Sequence, residues 1–248
     1  MADVMDKAYK LLALQEKISN RAAKELIDRG VVYALGKKVI VARADIKVGT
    51  TFKVEKLNKP KIIFEDEKIM AIDKPAYQTA EEIALMFKQT LLHRLDKETT
   101  GVLLLSKDEE FTKEVIETFK SHRVEKTYLA IVSGKFIEPV KVDSPILTIK
   151  TNSGAYSKIS KDGKSAVSFI EPKLVEGKRS LVEVKIETGR THQIRAHLKS
   201  IGFPVIGDEK YGGKPNSRIL LHAYKISLLG YSFTSPLPEE FAKFGKNA

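Results

Sequence analysis

Ionisable side chains gather in three short stretches of this 248-residue chain. In the first, residues 92–105, a polar loop carries His93, Arg94, Asp96, Lys97 and Glu98. It runs straight into the aliphatic residues Val102, Leu103, Leu104 and Leu105. A buried strand fixes the position of what precedes it, so this order can hold one carboxylate, Asp96, rigidly at a pocket edge. Thr99 and Thr100 can bond the loop backbone, and Gly101 permits a tight approach. Read by itself, however, the loop favours a solvent-exposed pair of Asp96 with Arg94 or Lys97, worth little.

The second stretch is residues 187–198, where a strand ends, Gly189 turns the chain, and a helix starts at or near Thr191. Helix starts present free N–H groups to anions. His192 and Arg195 are three apart and share a face, whereas His197 lies elsewhere. That spacing is poor for joint metal ligation, so no metal is expected. The third stretch is residues 124–132, in which Lys126 and Tyr128 alternate along one face at the start of a strand. A tyrosine at a pocket edge can stack on a base and exchange a proton, although such a tyrosine more often packs. Gly163-Lys164-Ser165 hints at a phosphate loop. Position 158 is lysine where that motif needs glycine, so the spacing fails.

The elements that must position these groups follow from local signals. Residues 6–14 read as an amphipathic helix, and residues 20–29 as a second one capped by Ser19 and stopped at Gly30. Short strands are predicted at 31–35, 39–42 and 51–54. Residues 57–61, with Pro60, form a polar hinge between two domains, 1–56 and 61–248. Beyond it, 61–64 and 69–72 form a hairpin. Helices are predicted at 79–88, 110–121 and 191–201, a buried strand at 102–106, and further strands at 127–133, 165–174, 181–186 and 219–227. Strands mixed with helices without strict alternation indicate an α+β fold.

Lysine and arginine total 43 against 32 acidic residues, a net charge of +11. That balance favours a polyanionic partner. There is no cysteine, so disulfides and thiolate chemistry are excluded. The first residues form no secretory signal, and no apolar run is long enough to span a bilayer. A cytoplasmic protein with no membrane partner is expected, as a monomer.

Taken in order, "HRLDKETTGVLLLSKD" (93–108), "VEKTYLAIVSG" (124–134), "VKIETGRTHQIRAHLKSIGFPVIGDEKYGG" (184–213) and "LLHAYKISL" (220–228) resemble the RluA-type pseudouridine synthases. The pairing of HRLD with GRTHQIRAH separates that type from the RsuA-type. Asp73-Lys74-Pro75-Ala76 is similar to the family's N-K-P-A-G signature, with Tyr77 where glycine is usual. The helices of 1–56, followed by "ADIKVGTTFKVE" (44–55), resemble the S4 RNA-binding module.

The resemblance implies a mixed, mainly antiparallel sheet preceded by a small S4-like α+β domain. It implies cofactor-free isomerisation of uridine in structured RNA, with large-subunit ribosomal RNA the first candidate and transfer RNA the second. Asp96 would be the catalytic carboxylate, Arg195 its paired cation, and Tyr128 the group that stacks on uracil and helps remove the C5 proton. Arg94, Leu95, Lys126, Arg190, His192 and Leu221 would bind substrate. Arg21, Lys24, Arg29, Lys37 and Lys38 would dock RNA from the S4-like domain. The segment between Pro75 and His93 is shorter than the family's, which implies trimmed RNA-contacting loops. A non-catalytic RNA-binding protein of the same fold is the competing reading. Intact Asp96, Tyr128 and Arg195 argue against it.

Overall fold

The computed structural model describes residues 4–151 and 154–246. The chain divides into two compact units, Met1–Asn58 and Lys59–Ala248.

In the first unit, strand β1 (Met5–Lys7) leads into helix α1 (Ala8–Glu16), and Ser19 caps helix α2 (Asn20–Arg29) through its side chain. Strands β2 (Val32–Ala34), β3 (Lys37–Lys38), β4 (Asp45–Lys47) and β5 (Phe52–Val54) follow. The first helix starts two residues later than its amphipathic pattern predicts, because Met5–Lys7 is drawn into pairing with Asp45–Lys47. The strand expected at 39–42 does not form. Pairing with β2 ends at Val39, and Ile40 and Val41 are exposed. Apolar side chains there have no sheet face to cover.

The second unit contains β6 (Lys61–Glu65), β7 (Ile69–Lys74), helix α3 (Ala80–Phe87), β8 (Thr90–Leu91), β9 (Thr100–Ser106), helix α4 (Glu109–Lys120) and β10 (Glu125–Ser133). After these come β11 (Val140–Asp143), β12 (Ile146–Thr151), β13 (Gly154–Ile159), β14 (Val167–Glu176) and β15 (Arg179–Ile186). Helix α5 (Gln193–Ser200), a 3-10 turn (Glu209–Tyr211), β16 (Leu221–Leu228), β17 (Tyr231–Thr234) and helix α6 (Glu239–Ala242) complete it.

Among the described residues, ten of these strands form one sheet in the order β11-β14-β15-β10-β16-β9-β7-β6, with β17 on β16 and β8 on β9. Only the β16–β9 pair is parallel, and the rest is antiparallel. Strand β9 is buried along its whole length, and each of Val102, Leu103, Leu104 and Leu105 is at most 1% exposed. Burying one such side chain is worth about 1.5–3 kcal/mol, so β9 is a rigid base for the loop before it. Helix α3 begins with the capping box of Thr79 and Glu82 one residue inside the predicted span. Four neighbouring central strands, β15, β10, β16 and β9, bring the three ionisable stretches to one edge of the sheet.

Candidate active site

Asp96 lies on the loop between β8 and β9, and several bonds fix that loop. The parallel ladder pairs His222 with Thr100 and Ala223 with Gly101. Gly101 has φ +118, and a Cβ there would sit 2.2 Å from the Ala223 carbonyl oxygen, so only glycine allows β16 this close. His93 Nε2 accepts the Leu104 N–H at 3.2 Å. Burial pushes His93 down to about 4, which keeps the imidazole neutral and able to accept that bond. The Thr99 N–H donates to the Asp96 carbonyl at 3.0 Å.

Beneath the loop lies Lys74, fully buried. Its ammonium donates to the carbonyls of Pro75 (2.8 Å), Gln78 (2.7 Å) and Lys97 (3.0 Å). Burial lowers Lys74 to about 7, with Asp96 the largest opposing charge. The Lys97 carbonyl also accepts the Tyr77 N–H at 2.8 Å. Tyr77 stands where the resemblance expects glycine, and it adopts the left-handed conformation a glycine would (φ 68). The buried ring and its hydroxyl contact with the Ser217 carbonyl hold it there against the strain.

The cation opposite Asp96 is Arg195 on α5. Nη1 donates to Asp96 Oδ2 at 3.2 Å. Nε and Nη2 donate to the two oxygens of Asp208 at 2.6 and 2.8 Å, a forked pair with the Asp208 side chain fully buried. The Tyr211 ring lies 4.9 Å from the guanidinium. These carboxylates hold Arg195 charged and raise its pKa above the usual arginine value against the cost of burial. The Tyr211 hydroxyl accepts the Ser157 N–H at 2.8 Å and lies 2.9 Å from His192 Nδ1. The other ring nitrogen of His192, Nε2, lies 3.8 Å from Asp96 Oδ2. Burial lowers the His192 pKa, and Asp96 partly offsets that. Asp96 Oδ2 is thus anchored by Arg195 with His192 beside it, whereas Oδ1 accepts no hydrogen bond from the described residues.

The helix carrying Arg195 starts at Gln193, two residues later than predicted. His192 takes a left-handed conformation (φ 53) at its cap, and the Gln193 side chain accepts the Arg190 N–H and the Thr188 hydroxyl proton. The Arg190 amide, just ahead of the helix, is therefore already used.

A cleft of about 80 Å³ opens at Asp96, and Leu95, Thr99, Tyr128, Ile186 and Leu221 supply much of its wall. Tyr128 is half-buried, and packs against the hydrophobic clusters on either side of it. The β10–β16 register shifts between Thr127 and Tyr128, a bulge at the residue that faces the cleft. Burial, and secondarily the charge of Asp96, raise the Tyr128 pKa above the usual phenol value. Of the substrate-binding candidates, Arg94, Leu95, Arg190, His192 and Leu221 line the cleft. Arg94 is exposed and paired with Glu81 on α3 at 2.8 Å. Lys126 is not among the cleft-lining residues. It reaches the Thr188 carbonyl (3.4 Å) and the Phe119 ring, and burial lowers it to about 8.

Sequence reasoning missed Asp208, Tyr211 and Lys74 as parts of the site. Asp208 is 13 residues beyond Arg195 with no helical periodicity to link them. The available signal was Gly207 before it and Gly212-Gly213 after it, which mark a tight backbone path. Among the described residues no group of three His, Cys, Asp or Glu side chains could hold a metal ion, and no helix is long and apolar enough to cross a membrane.

Known proteins carry the same plan. Residues 52–200 match the family model described as RNA pseudouridylate synthase. The chain belongs to the RNA pseudouridylate synthase family. An uncharacterized RNA pseudouridine synthase of Helicobacter pylori is 51% identical over 241 residues, covering 96% of this chain and 99% of that protein. The ribosomal large subunit pseudouridine synthase C of Rickettsia felis is 34% identical over 216 residues, 77% of this chain and 68% of that protein. A human RNA pseudouridylate synthase domain protein (domain containing 4) shares the fold, with a TM-score of 0.61 at 24% identity over 73% of this chain and 90% of the other. The enzyme is accordingly an isomerase that converts uridine to pseudouridine in RNA.

In the first unit, Arg21 and Lys37 are exposed, and Arg21 pairs with Glu25 at 3.1 Å. Lys24 and Lys38 lie over the rings of Tyr9 (4.3 Å) and Tyr33 (5.8 Å). Arg29 ends α2.

Proposed function

We propose that Asp96 is the catalytic carboxylate of this enzyme and that its substrate is large-subunit ribosomal RNA. The observation that carries the first part is the asymmetry of the carboxylate. One oxygen is anchored by a buried arginine, and the other is free at the cleft. Pseudouridine formation breaks the N1–C1′ bond, turns the uracil and joins C5 to C1′. C5 then loses its proton and N1 gains one, so no atoms are added or lost. Asp96 Oδ1 serves this by attacking C1′ or by taking the 2′ proton. Both routes need an ionised, fixed carboxylate, which Arg195 supplies electrostatically.

Either route also consumes the negative charge of Asp96. That charge is one of the two causes that raise the Tyr128 pKa. Joining C5 to C1′ restores that charge, so Tyr128 stays a phenol, which gives its proton to N1 as its oxygen takes the one on C5 and ends the cycle as it began. Its ring, walled by Leu221 and Ile186, stacks on the uracil. Arg94, exposed at the rim, is suited to fill the gap left by a base drawn out of its stack, which costs a few kcal/mol of unstacking.

Residues 1–56 act as an S4-like RNA-docking domain in front of a catalytic domain at 61–248. The basic side chains Arg21 and Lys37 are exposed, and phosphates can compete with Glu25 for Arg21. Ribosomal RNA is favoured by the name of the Rickettsia felis relative, a ribosomal large subunit pseudouridine synthase, together with that basic unit. Mapping pseudouridines in cellular RNA with and without this protein tests the target. Loss of one or a few sites in large-subunit ribosomal RNA is expected. Loss in transfer RNA alone would move the target there.

A further inference from the structure

Strands β12 and β13 stand outside the main sheet and form a two-stranded ladder of their own. The chain leaving β13 turns back so that Lys164 bridges to Ile146, and Gly163 makes this possible. A Cβ at Gly163 would sit 2.4 Å from the Ile146 carbonyl carbon. Between residues 144 and 170 there are four lysines, Lys150, Lys158, Lys161 and Lys164, against one acid, Asp162. All four are exposed. Two more cations converge on the same hairpin. Lys210 donates to the Ala155 carbonyl, and Lys199 reaches the Tyr156 hydroxyl at 3.5 Å. Among the described residues none of the six is paired with a carboxylate, in contrast to Lys107, Lys113, Lys120 and Lys141 elsewhere on the same unit. Six unpaired like charges repel one another, and a polyanion relieves that cost.

The hairpin also packs behind the helix that lines the cleft. Ile146 packs with Ala196 of α5 and with Tyr211, and the Tyr156 ring stacks on Tyr211 at 5.1 Å. Ser157 donates its N–H to the Tyr211 hydroxyl, and the Tyr211 ring lies against the guanidinium of Arg195. One side chain thus separates the root of the basic hairpin from the arginine that anchors Asp96.

We propose that this hairpin and its return turn are a second RNA-contact surface, which grips the phosphate backbone of the substrate RNA next to the target uridine. The surface rests on the reading of the cleft as the uridine site. The grip is electrostatic and independent of sequence, so it contributes to affinity and register rather than to base choice.

The test is equilibrium binding of the full chain to an unmodified large-subunit ribosomal RNA transcript between 50 and 200 mM salt. It compares wild type with K150Q/K158Q/K161Q/K164Q and with the control K107Q/K113Q/K120Q/K141Q, which removes the same charge from paired lysines. Each phosphate contact adds about 0.7–0.9 to the slope of log affinity against log salt, so the hairpin variant, with four lysines removed, should lose about 2.8–3.6 of that slope. Over this fourfold salt range its affinity then falls about 50- to 150-fold less than that of wild type. The control should keep the wild-type slope, and the hairpin variant should keep wild-type turnover at saturating RNA. Should the quadruple variant not fold, K150Q/K158Q and K161Q/K164Q are read separately, each lowering the slope by about half as much. An unchanged slope, or an equal loss in the control, overturns the proposal. So does a defect seen only on ribosomal particles and not on naked RNA, which would assign the surface to an acidic protein. Binding to any RNA reports the grip even if the target is misassigned, and turnover reports the cleft separately.

Discussion

The two aspartates on Arg195 should separate stability from catalysis. Asp208 is completely buried and takes two short charge-assisted bonds from the guanidinium. Its replacement by asparagine leaves a buried cation with one longer contact, 3.2 Å, to a partner that is 27% exposed. Breaking a buried pair on one side costs about 3–5 kcal/mol. For a unit of this size each kcal/mol moves the melting temperature about 2–4 °C, so Asp208→Asn should lower it by roughly 6–20 °C. Asp96→Asn removes the weaker partner, and the Arg195–Asp208 pair it leaves behind is neutral overall. Its stability should stay within about 1 kcal/mol of wild type. Its activity should nevertheless vanish. Urea unfolding of both variants, run alongside tritium release from RNA labelled at uridine C5, gives both numbers. A cost above about 3 kcal/mol for Asp96→Asn with under about 1 kcal/mol for Asp208→Asn would refute the assignment of which carboxylate anchors the arginine.

Other perturbations have equally definite outcomes. Tyr128→Phe keeps the stacking ring but cannot take the C5 proton, so turnover should fall about 10²–10⁴-fold with RNA affinity unchanged; wild-type turnover would remove the proton-transfer role. Lys74→Met frees the loop backbone at Lys97, and a displacement of about 1 Å at Asp96 predicts roughly a 10²-fold loss in turnover, read by steady-state kinetics. His222, completely buried with Nδ1 on the Thr100 hydroxyl at 2.8 Å, is pushed down to about 4, as is His93. Both are neutral in the fold, while the unfolded chain takes up protons near pH 6.5, so stability is full above that pH and is lost as pH falls towards 4. The limiting slope is about 1.4 kcal/mol per pH unit for each histidine, and His222→Met should remove one histidine's share in a urea titration against pH. Gly101→Ala should cost at least about 2 kcal/mol, since its left-handed φ and the Ala223 backbone both exclude a side chain; a melting curve like wild type's would contradict this.

Much of the site was legible because its pieces lie on strongly patterned elements. The run Val102, Leu103, Leu104 and Leu105 marked a buried strand, but the loop before it, read alone, pointed to Asp96 pairing with Arg94 or Lys97, whereas its partner is Arg195 from a distant helix. The helix start near Arg195 was placed two residues early, since nothing local announces that His192 will be left-handed or that Gln193 will take the Arg190 amide. Strands β11, β12, β13 and β17 escaped notice because their short, half-exposed segments alternate weakly. The strand expected at 39–42 failed for the opposite reason: Val39, Ile40 and Val41 look like a strand, but of the three Val39 alone bonds to a neighbouring strand, while Val41 closes a local turn with Ala44. Lys74, Tyr77 and Asp208 act through contacts between distant segments, and a local reading of charge and spacing has no access to those. Tyr77 is instructive here. It departs from the expected glycine in chemistry yet keeps the glycine's backbone conformation.

The central claim is that Asp96 performs the isomerisation while the rest of the cleft holds it in place. Tritium release from RNA labelled at uridine C5, measured at equal RNA occupancy for wild type and Asp96→Asn, tests it most directly. Wild type should release one tritium per uridine converted, and the variant should bind the RNA and release none. Release by Asp96→Asn at the wild-type rate would contradict the account.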